Sequence, residues 1–239
     1  MRVHVVGCGL IGASVARAAV LAGHDVSGWD ASREARTLLP EMGVRVLEEA
    51  PEADLVVLAT PPKAILEILS RMPTGPTVMD VASVKLPVLA AANERRLPFV
   101  GGHPLAGSER AGARAAEPGL FRGRPFFLVP GRFAGPADIE RAEKLVAATE
   151  AVPVAVGAEG HDEALALTSH LVWVLSRSLQ EEGVRHPEDF RQGRAFQDVV
   201  RSGASPEDLW AEILDLNRAN VRKAWQAVKE RVEAWLEGG

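Results

Sequence analysis

Val3-His4-Val5-Val6-Gly7-Cys8-Gly9-Leu10-Ile11-Gly12-Ala13-Ser14 is the stretch from which the rest of the chain is read. An apolar, β-branched run leads into three glycines spaced Gly-x-Gly-x-x-Gly, and a helical pattern opens at Leu10. Gly7 permits the tight turn, Gly9 lets a pyrophosphate approach the backbone, and Gly12 lets the helix pack on the strand. The helix start at Leu10 and Ile11 turns N–H groups and the positive end of the helix dipole towards phosphate charge. Strand before and helix after make this the context that a dinucleotide-binding fingerprint requires; the alternative is a glycine-rich turn without a ligand.

The next strand, Val26 to Trp29, ends at Asp30, where a carboxylate would bind the adenosine ribose hydroxyls. That carboxylate would repel a 2′-phosphate, which favours NAD over NADP. Arg33 is the nearby residue that could pair with such a phosphate.

Working outward, Asp54 to Ala59 and Thr77 to Val81 read as further buried strands, with helices starting near Arg33, Lys63 and Leu86. Strand and helix alternate, so the expected fold class is α/β with right-handed crossovers, a Rossmann-type, doubly wound, mainly parallel sheet. Phe99 to Gly101, Phe126 to Val129 and Val152 to Val156 are later strands, with a helix from about Ala137 to Thr149 before the last. After Gly157 the strand signal stops. Residues 1–157 are therefore expected to form the dinucleotide-binding domain, and residues 158–239 a smaller all-α domain.

In that second part, His161 to about Gly183 is apolar almost all round, which predicts a helix buried on several sides. Ser205-Pro206-Glu207-Asp208 reads as a helix start with a capping serine. Leu214, Val221, Trp225, Val228, Val232 and Trp235 keep one apolar stripe. A small helical domain with such faces is expected to complete its core with a second copy, giving a homodimer.

Composition excludes several classes. The 239 residues are 47% apolar and 25% charged, and 27 basic against 32 acidic residues give a formal charge of −5. Neither a basic stripe nor a bilayer-length apolar run is present, so no nucleic-acid or membrane partner is expected. The amino terminus enters a strand directly and no targeting segment is expected before it. Cys8 is the single cysteine, which excludes an internal disulfide or a cysteine-rich metal site and fits a reducing cytoplasm. Between two glycines, it is read as the small residue that the turn requires.

Chemistry concentrates in Gly101-Gly102-His103-Pro104-Leu105-Ala106-Gly107-Ser108-Glu109. Pro104 pushes His103 towards an extended backbone, and the glycines allow another molecule to approach closely, so the imidazole is expected at a strand end. Thr60-Pro61-Pro62 and Asp80 to Lys85 follow other strands, where ligands bind in open α/β sheets. Ser83 either hydrogen-bonds the cofactor, the substrate or His103, or caps the next helix. Lys85 is read as structural.

Together these motifs resemble the prephenate and arogenate dehydrogenase family over nearly the whole chain. The likeness runs from Gly7 to Ser14 through Asp80 to Lys85, His103 to Glu109, Leu120-Phe121, His161-Asp162, Ser169-His170-Leu171 and Phe196 to Arg201, with Trp210 and Asn217 downstream. It implies oxidative decarboxylation of prephenate to 4-hydroxyphenylpyruvate with NAD as hydride acceptor, on the route to tyrosine. His103 matches the histidine that takes the proton of the ring hydroxyl, and Ser83 a serine that orients the assembly. Arg201 matches the arginine that holds a substrate carboxylate, a role suited to a permanently charged bidentate donor. Ser108 and Glu109 fall where the family lines the pocket, and Trp210 where it places an aromatic wall. The chain departs from the pattern at Trp173, where many members have another histidine, and at Gln197, where they have a basic residue.

Other classes remain open at this point. Arogenate in place of prephenate would yield tyrosine directly. A β-hydroxyacid dehydrogenase or imine reductase would share the fold, although the catalytic lysine by which those families resemble each other is missing from residues 159–183. A non-catalytic NAD-sensing module would have no need of His103 or Arg201.

Overall fold

The structure is a computed structural model that describes residues 1–106 and 110–238. It divides into two compact units, Met1–Ala158 and Glu159–Gly239.

The first unit is built on one sheet, β1 (Arg2–Val6), β2 (Asp25–Trp29), β3 (Arg45–Val46), β4 (Leu55–Leu58), β5 (Thr77–Asp80), β6 (Phe99–Pro104), β7 (Pro125–Pro130) and β8 (Val152–Ala155). The order across it is β3-β2-β1-β4-β5-β6-β7-β8. Helices α1 (Leu10–Leu21), α2 (Arg33–Leu38), α3 (Pro62–Arg71), α4 (Leu86–Glu94) and α5 (Pro136–Ala148) connect or flank the strands. Strands β1, β4 and β5 carry Val3, Val5, Leu55, Val57, Leu58, Val78 and Met79, all almost wholly buried. Such continuous apolar runs suit a sheet covered on both faces. The chain steps from β1 out to β2 and β3, then back past β1 to β4, and ligands bind at such a reversal of strand order.

Two features depart from the sequence reading. β3 pairs with β2 through only Ser27–Arg45 and Gly28–Val46, too short a run to show a period. β7 runs antiparallel to β6, with His103 opposite Phe127. A hydrophobic run marks a strand without marking its direction.

The second unit is helical: α6 (Ala158–Leu165), a π-helical turn (Ala166–His170), α7 (Leu171–Gly183), α8 (Arg194–Val200), α9 (Glu207–Leu216) and α10 (Arg218–Leu236). The stretch expected to be buried on several sides is covered on one only. Leu165, Ala166, Leu171 and Trp173 are buried, whereas Leu167, Val172 and Leu179 are 43–48% exposed. The apolar residues ring the helix, but the neighbouring helices of one chain cover a single face. Ser205 is not the cap of α9 either. Pro206 occupies the N-cap position, and the Ser205 hydroxyl donates back to the Ser202 carbonyl at 3.3 Å. Among the described residues no helix is long and apolar enough to cross a membrane, and no cluster of His, Cys, Asp or Glu is grouped as a metal site.

Candidate active site

The fingerprint glycines differ in what holds them. Gly7 has φ of +89°, and a Cβ on it would lie 2.7 Å from the Ala59 and Thr60 backbone. At Gly12 a Cβ would fall 1.9 Å from the Gly7 carbonyl oxygen. Turn and packing therefore demand both. Gly9 has φ of −72°, and a Cβ there would meet nothing within 4 Å, so nothing in the chain itself requires a glycine. A residue kept bare at a helix N-cap with open space above it is what an approaching phosphate needs. The first-turn amides of Leu10, Ile11 and Gly12 have no intrahelical acceptor, and with no side-chain cap from Gly9 and no acidic residue in the first turn of α1, no side chain there substitutes for one.

Asp30 is tied to this loop. Its Oδ2 accepts from Cys8 N–H at 2.6 Å and its Oδ1 from Ser32 N–H at 2.7 Å. One lone pair on each oxygen is then left for a hydroxyl. Arg33 opens α2 as an exposed residue, while Arg36, one turn on, lies 4.4 Å over the Trp29 ring and donates to the Asp30 and Ala31 carbonyls at 2.6 and 2.9 Å. No sequence signal marks Arg36, because its partners are backbone oxygens. Gly9, Asp30, Ser32, Glu34, Gly112 and Arg114 line one concave surface.

Cys8 is buried, and burial pushes its thiol up to about 12. A thiol that far from ionisation is not a redox nucleophile.

Thr60 and Pro61 follow β4, Pro61 as the N-cap of α3. The Thr60 hydroxyl is buried with no hydrogen-bond partner among the described residues, an orphan beside Gly7 that a bound ligand would satisfy. Ser83 stands between β5 and α4, half-buried, and the N-cap position of α4 belongs to Lys85, so Ser83 is not the helix cap. His103 is buried near the end of β6, with its ring 6.3 Å from that of Phe127. Because β1, β2, β4, β5 and β6 are parallel, the glycine loop, Asp30, Thr60, Ser83 and His103 all lie towards the carboxyl end of the sheet.

Gly101 and Gly102 serve a different purpose from the one expected. A Cβ on Gly101 would lie 3.2 Å from Lys85 Cδ, and one on Gly102 2.5 Å from the Asp80 carbonyl oxygen. The molecule that approaches these glycines closely is the chain itself. Ser108 and Glu109 lie outside the described residues.

In the helical unit, Arg201 opens the 3-10 turn Arg201–Ala204 and is exposed. The turn is fastened to α7 on both sides: Gln180 Nε2 donates to the Val200 carbonyl and Gly203 N–H to Ser176 Oγ, each at 2.7 Å. Trp210 stacks on Trp173 at 5.1 Å between centroids and 10° between planes, and meets His170 edge-on at 6.0 Å. Asn217 Nδ2 donates to the Asp162 carbonyl at 2.8 Å and lies 3.1 Å from His170 Nδ1. Asp162 Oδ1 is 2.8 Å from His161 Nδ1. This buried polar chain is the part of the helical unit for which the sequence suggested no roles, since its members are 55 and 47 residues apart. Gln197 donates to the Arg191 carbonyl within its own segment.

Comparison with known proteins agrees with the geometry. Residues 15–155 match the family model described as prephenate dehydrogenase, nucleotide-binding domain, and residues 157–237 that described as prephenate dehydrogenase, dimerization domain. Prephenate dehydrogenase of Bacillus subtilis is 29% identical across 96% of this chain and 66% of its own length. Cyclohexadienyl dehydrogenase of Zymomonas mobilis is 32% identical across 88% of this chain and 78% of its own. The crystal structure of A. aeolicus prephenate dehydrogenase in complex with hydroxyphenyl propionate and NAD+ superimposes with a TM-score of 0.90, covering 99% of this chain and 90% of that one at 24% identity, a likeness of fold. The chain spans 47% to 66% of the length of three curated relatives that it matches.

Proposed function

The chain belongs to the prephenate dehydrogenase family, and on that premise we propose that it is itself an NAD-dependent prephenate dehydrogenase. Residues 1–157 bind the dinucleotide, and residues 158–239 supply substrate contacts and a dimer interface. The observation that carries the reading is the bare, unobstructed Gly9 at the start of α1 beside Asp30, with His103 towards the same end of the sheet.

Bound NAD supplies an acceptor for the hydride of the ring carbon that bears the hydroxyl. The residues do the rest. The amides of Leu10, Ile11 and Gly12 would hold the pyrophosphate, Asp30 would accept hydrogen bonds from the ribose hydroxyls, and Thr60 and Pro61 would border the nicotinamide side. His103 takes the hydroxyl proton on a ring nitrogen while the carboxylate at the other end of the ring leaves as carbon dioxide, and Ser83 orients that hydrogen bond. Arg201 holds a substrate carboxylate; Trp210 gives an aromatic wall, and Ser108 and Glu109 line the pocket. A reducing cytoplasm is the compartment we propose, supported by the single buried cysteine.

NADH formation with prephenate and then with arogenate, followed by identification of the aromatic product, tests the reading. Turnover of prephenate to 4-hydroxyphenylpyruvate upholds it. Turnover of arogenate alone transfers the activity to that substrate, and no NADH with either removes the proposal.

Asp30 should make NAD the better cofactor by at least about tenfold in kcat/KM, equivalent to about 1.4 kcal/mol. Arg36 is held by backbone carbonyls, whereas Arg33 is exposed close to that carboxylate in sequence and could favour a 2′-phosphate. Equal use of NADP would mean that Arg33 governs the site.

The helical unit should also bring two copies together. On α10, Trp225, Val232 and Trp235 are 42%, 47% and 80% exposed, an apolar stripe that a second copy would cover. Light scattering should give a dimer at micromolar concentration. A fully active monomer would show that the stripe stays open.

A further inference from the structure

β6 runs further than the strand beside it. β5 pairs with β6 through Val78–Phe99 and Met79–Val100 and then ends at Asp80, whereas β6 continues through Gly101, Gly102 and His103 to Pro104. On the far side β7 still pairs with these residues, Gly102 opposite Leu128 and His103 opposite Phe127. On the near side, no backbone among the described residues completes the ladder.

Two side chains take its place. Asp80 Oδ1 accepts from Gly102 N–H at 3.1 Å, where a neighbouring strand would present a carbonyl. Lys85 Nζ donates to the Gly102 carbonyl at 2.6 Å, where that strand would present an N–H. The two side chains join each other through Lys85 Nζ and Asp80 Oδ2, and Ala82 N–H adds a bond to Oδ2 at 3.0 Å. Both are buried, with 1% and 0% of their side chains exposed. The glycines make room: the Lys85 stem lies against Gly101, and Gly102 leaves no space for a Cβ beside Asp80. A buried ion pair is no strong source of stability in itself, because desolvation offsets much of the attraction. Its value here is directional.

We propose that Asp80 and Lys85 are positioning residues, which grip Gly102 at its N–H and at the carbonyl of its peptide bond to His103 and so hold the imidazole at its working place. This rests on the reading of His103 as the base. A group that acts by proton transfer is sensitive to misplacement, and about 1 Å of displacement can lower a rate by about a hundredfold.

The test is the neutral pair Asp80→Asn/Lys85→Met, which keeps the volume and removes both charges, so that neither is left buried alone. Hydrogen exchange should quicken at least about tenfold in the peptide that contains Gly102 and His103, with β1 unchanged. The kcat should fall about tenfold to a hundredfold, with KM for NAD and for substrate within about threefold. In a double-mutant cycle the same change on a His103→Asn background should cost nothing further, because the clamp acts only through that imidazole. Unchanged exchange at the end of β6, or the same loss of kcat with and without His103, overturns the proposal. If the neutral pair does not fold, Asp80→Asn/Lys85→Gln, which also leaves no charge buried alone and shortens the reach to the Gly102 carbonyl, is measured in the same ways. Should the wild-type protein turn over neither ring substrate, the functional reading fails, and exchange alone then decides whether the clamp exists.

Discussion

His103→Asn should leave a folded protein that still binds NAD and much of its prephenate, while turnover falls about 10²- to 10⁴-fold. The fold should survive because β6 is held by its ladder to β7 and by the Asp80 and Lys85 contacts to Gly102, none of which uses the imidazole. An asparagine amide is small enough for the buried position beside Phe127 and can still hydrogen-bond a hydroxyl. It cannot accept the proton as hydride leaves. The loss therefore belongs to the transition state and should appear in kcat, with KM little changed. The pH profile gives an independent check. A protonated imidazole cannot take a proton, so wild-type activity should fall as the pH drops through the titration of this histidine in the bound complex. The variant should lack that limb. Turnover within a few-fold of wild type, or a collapsed fold, would show that another group is the base.

Arg201→Ala should raise KM for prephenate by about 30- to 1,000-fold, equivalent to about 2 to 4 kcal/mol, and leave NAD affinity unchanged. Prephenate is a dianion, and a guanidinium–carboxylate contact made in the ground state persists in the transition state, so binding is lost more than turnover. The turn that carries Arg201 is fastened by Gln180 to the Val200 carbonyl and by Ser176 to Gly203, so truncation of the side chain should spare the backbone. Steady-state kinetics together with dinucleotide titration decides the matter. A normal KM for prephenate would remove Arg201 from the substrate site.

What was legible in the residues was whatever depends on short range. Strand, turn and helix from Arg2 to Leu21 followed from a β-branched run, the spacing of three glycines and a helical period, and the structure has β1 and α1 where those signals lie. Asp30 was legible because its distance along the chain from the fingerprint is set by one intervening helix and strand. His103 stood out because proline and glycine constrain the backbone around it. The change to an all-helical second unit was equally plain from the loss of strand signals after Gly157.

Tertiary structure decided whatever depends on which distant backbone lies alongside. The reversed direction of β7 is a choice of neighbour, and no pattern within Phe126 to Val129 encodes it. Ser205 has the composition of a cap, yet its hydroxyl finds the Ser202 carbonyl, because a local hydrogen bond competes with the helix end for the same group. Asn217 reaches Asp162 and lies beside His170 only because three helices bring them together. Lys85 is the clearest case. In the sequence it is a charged residue after a strand, whose partner no short-range pattern can name. Its position against Gly102 arises because β5 stops at Asp80 while β6 runs on, and the unpaired edge must be satisfied by side chains where the backbone has turned away.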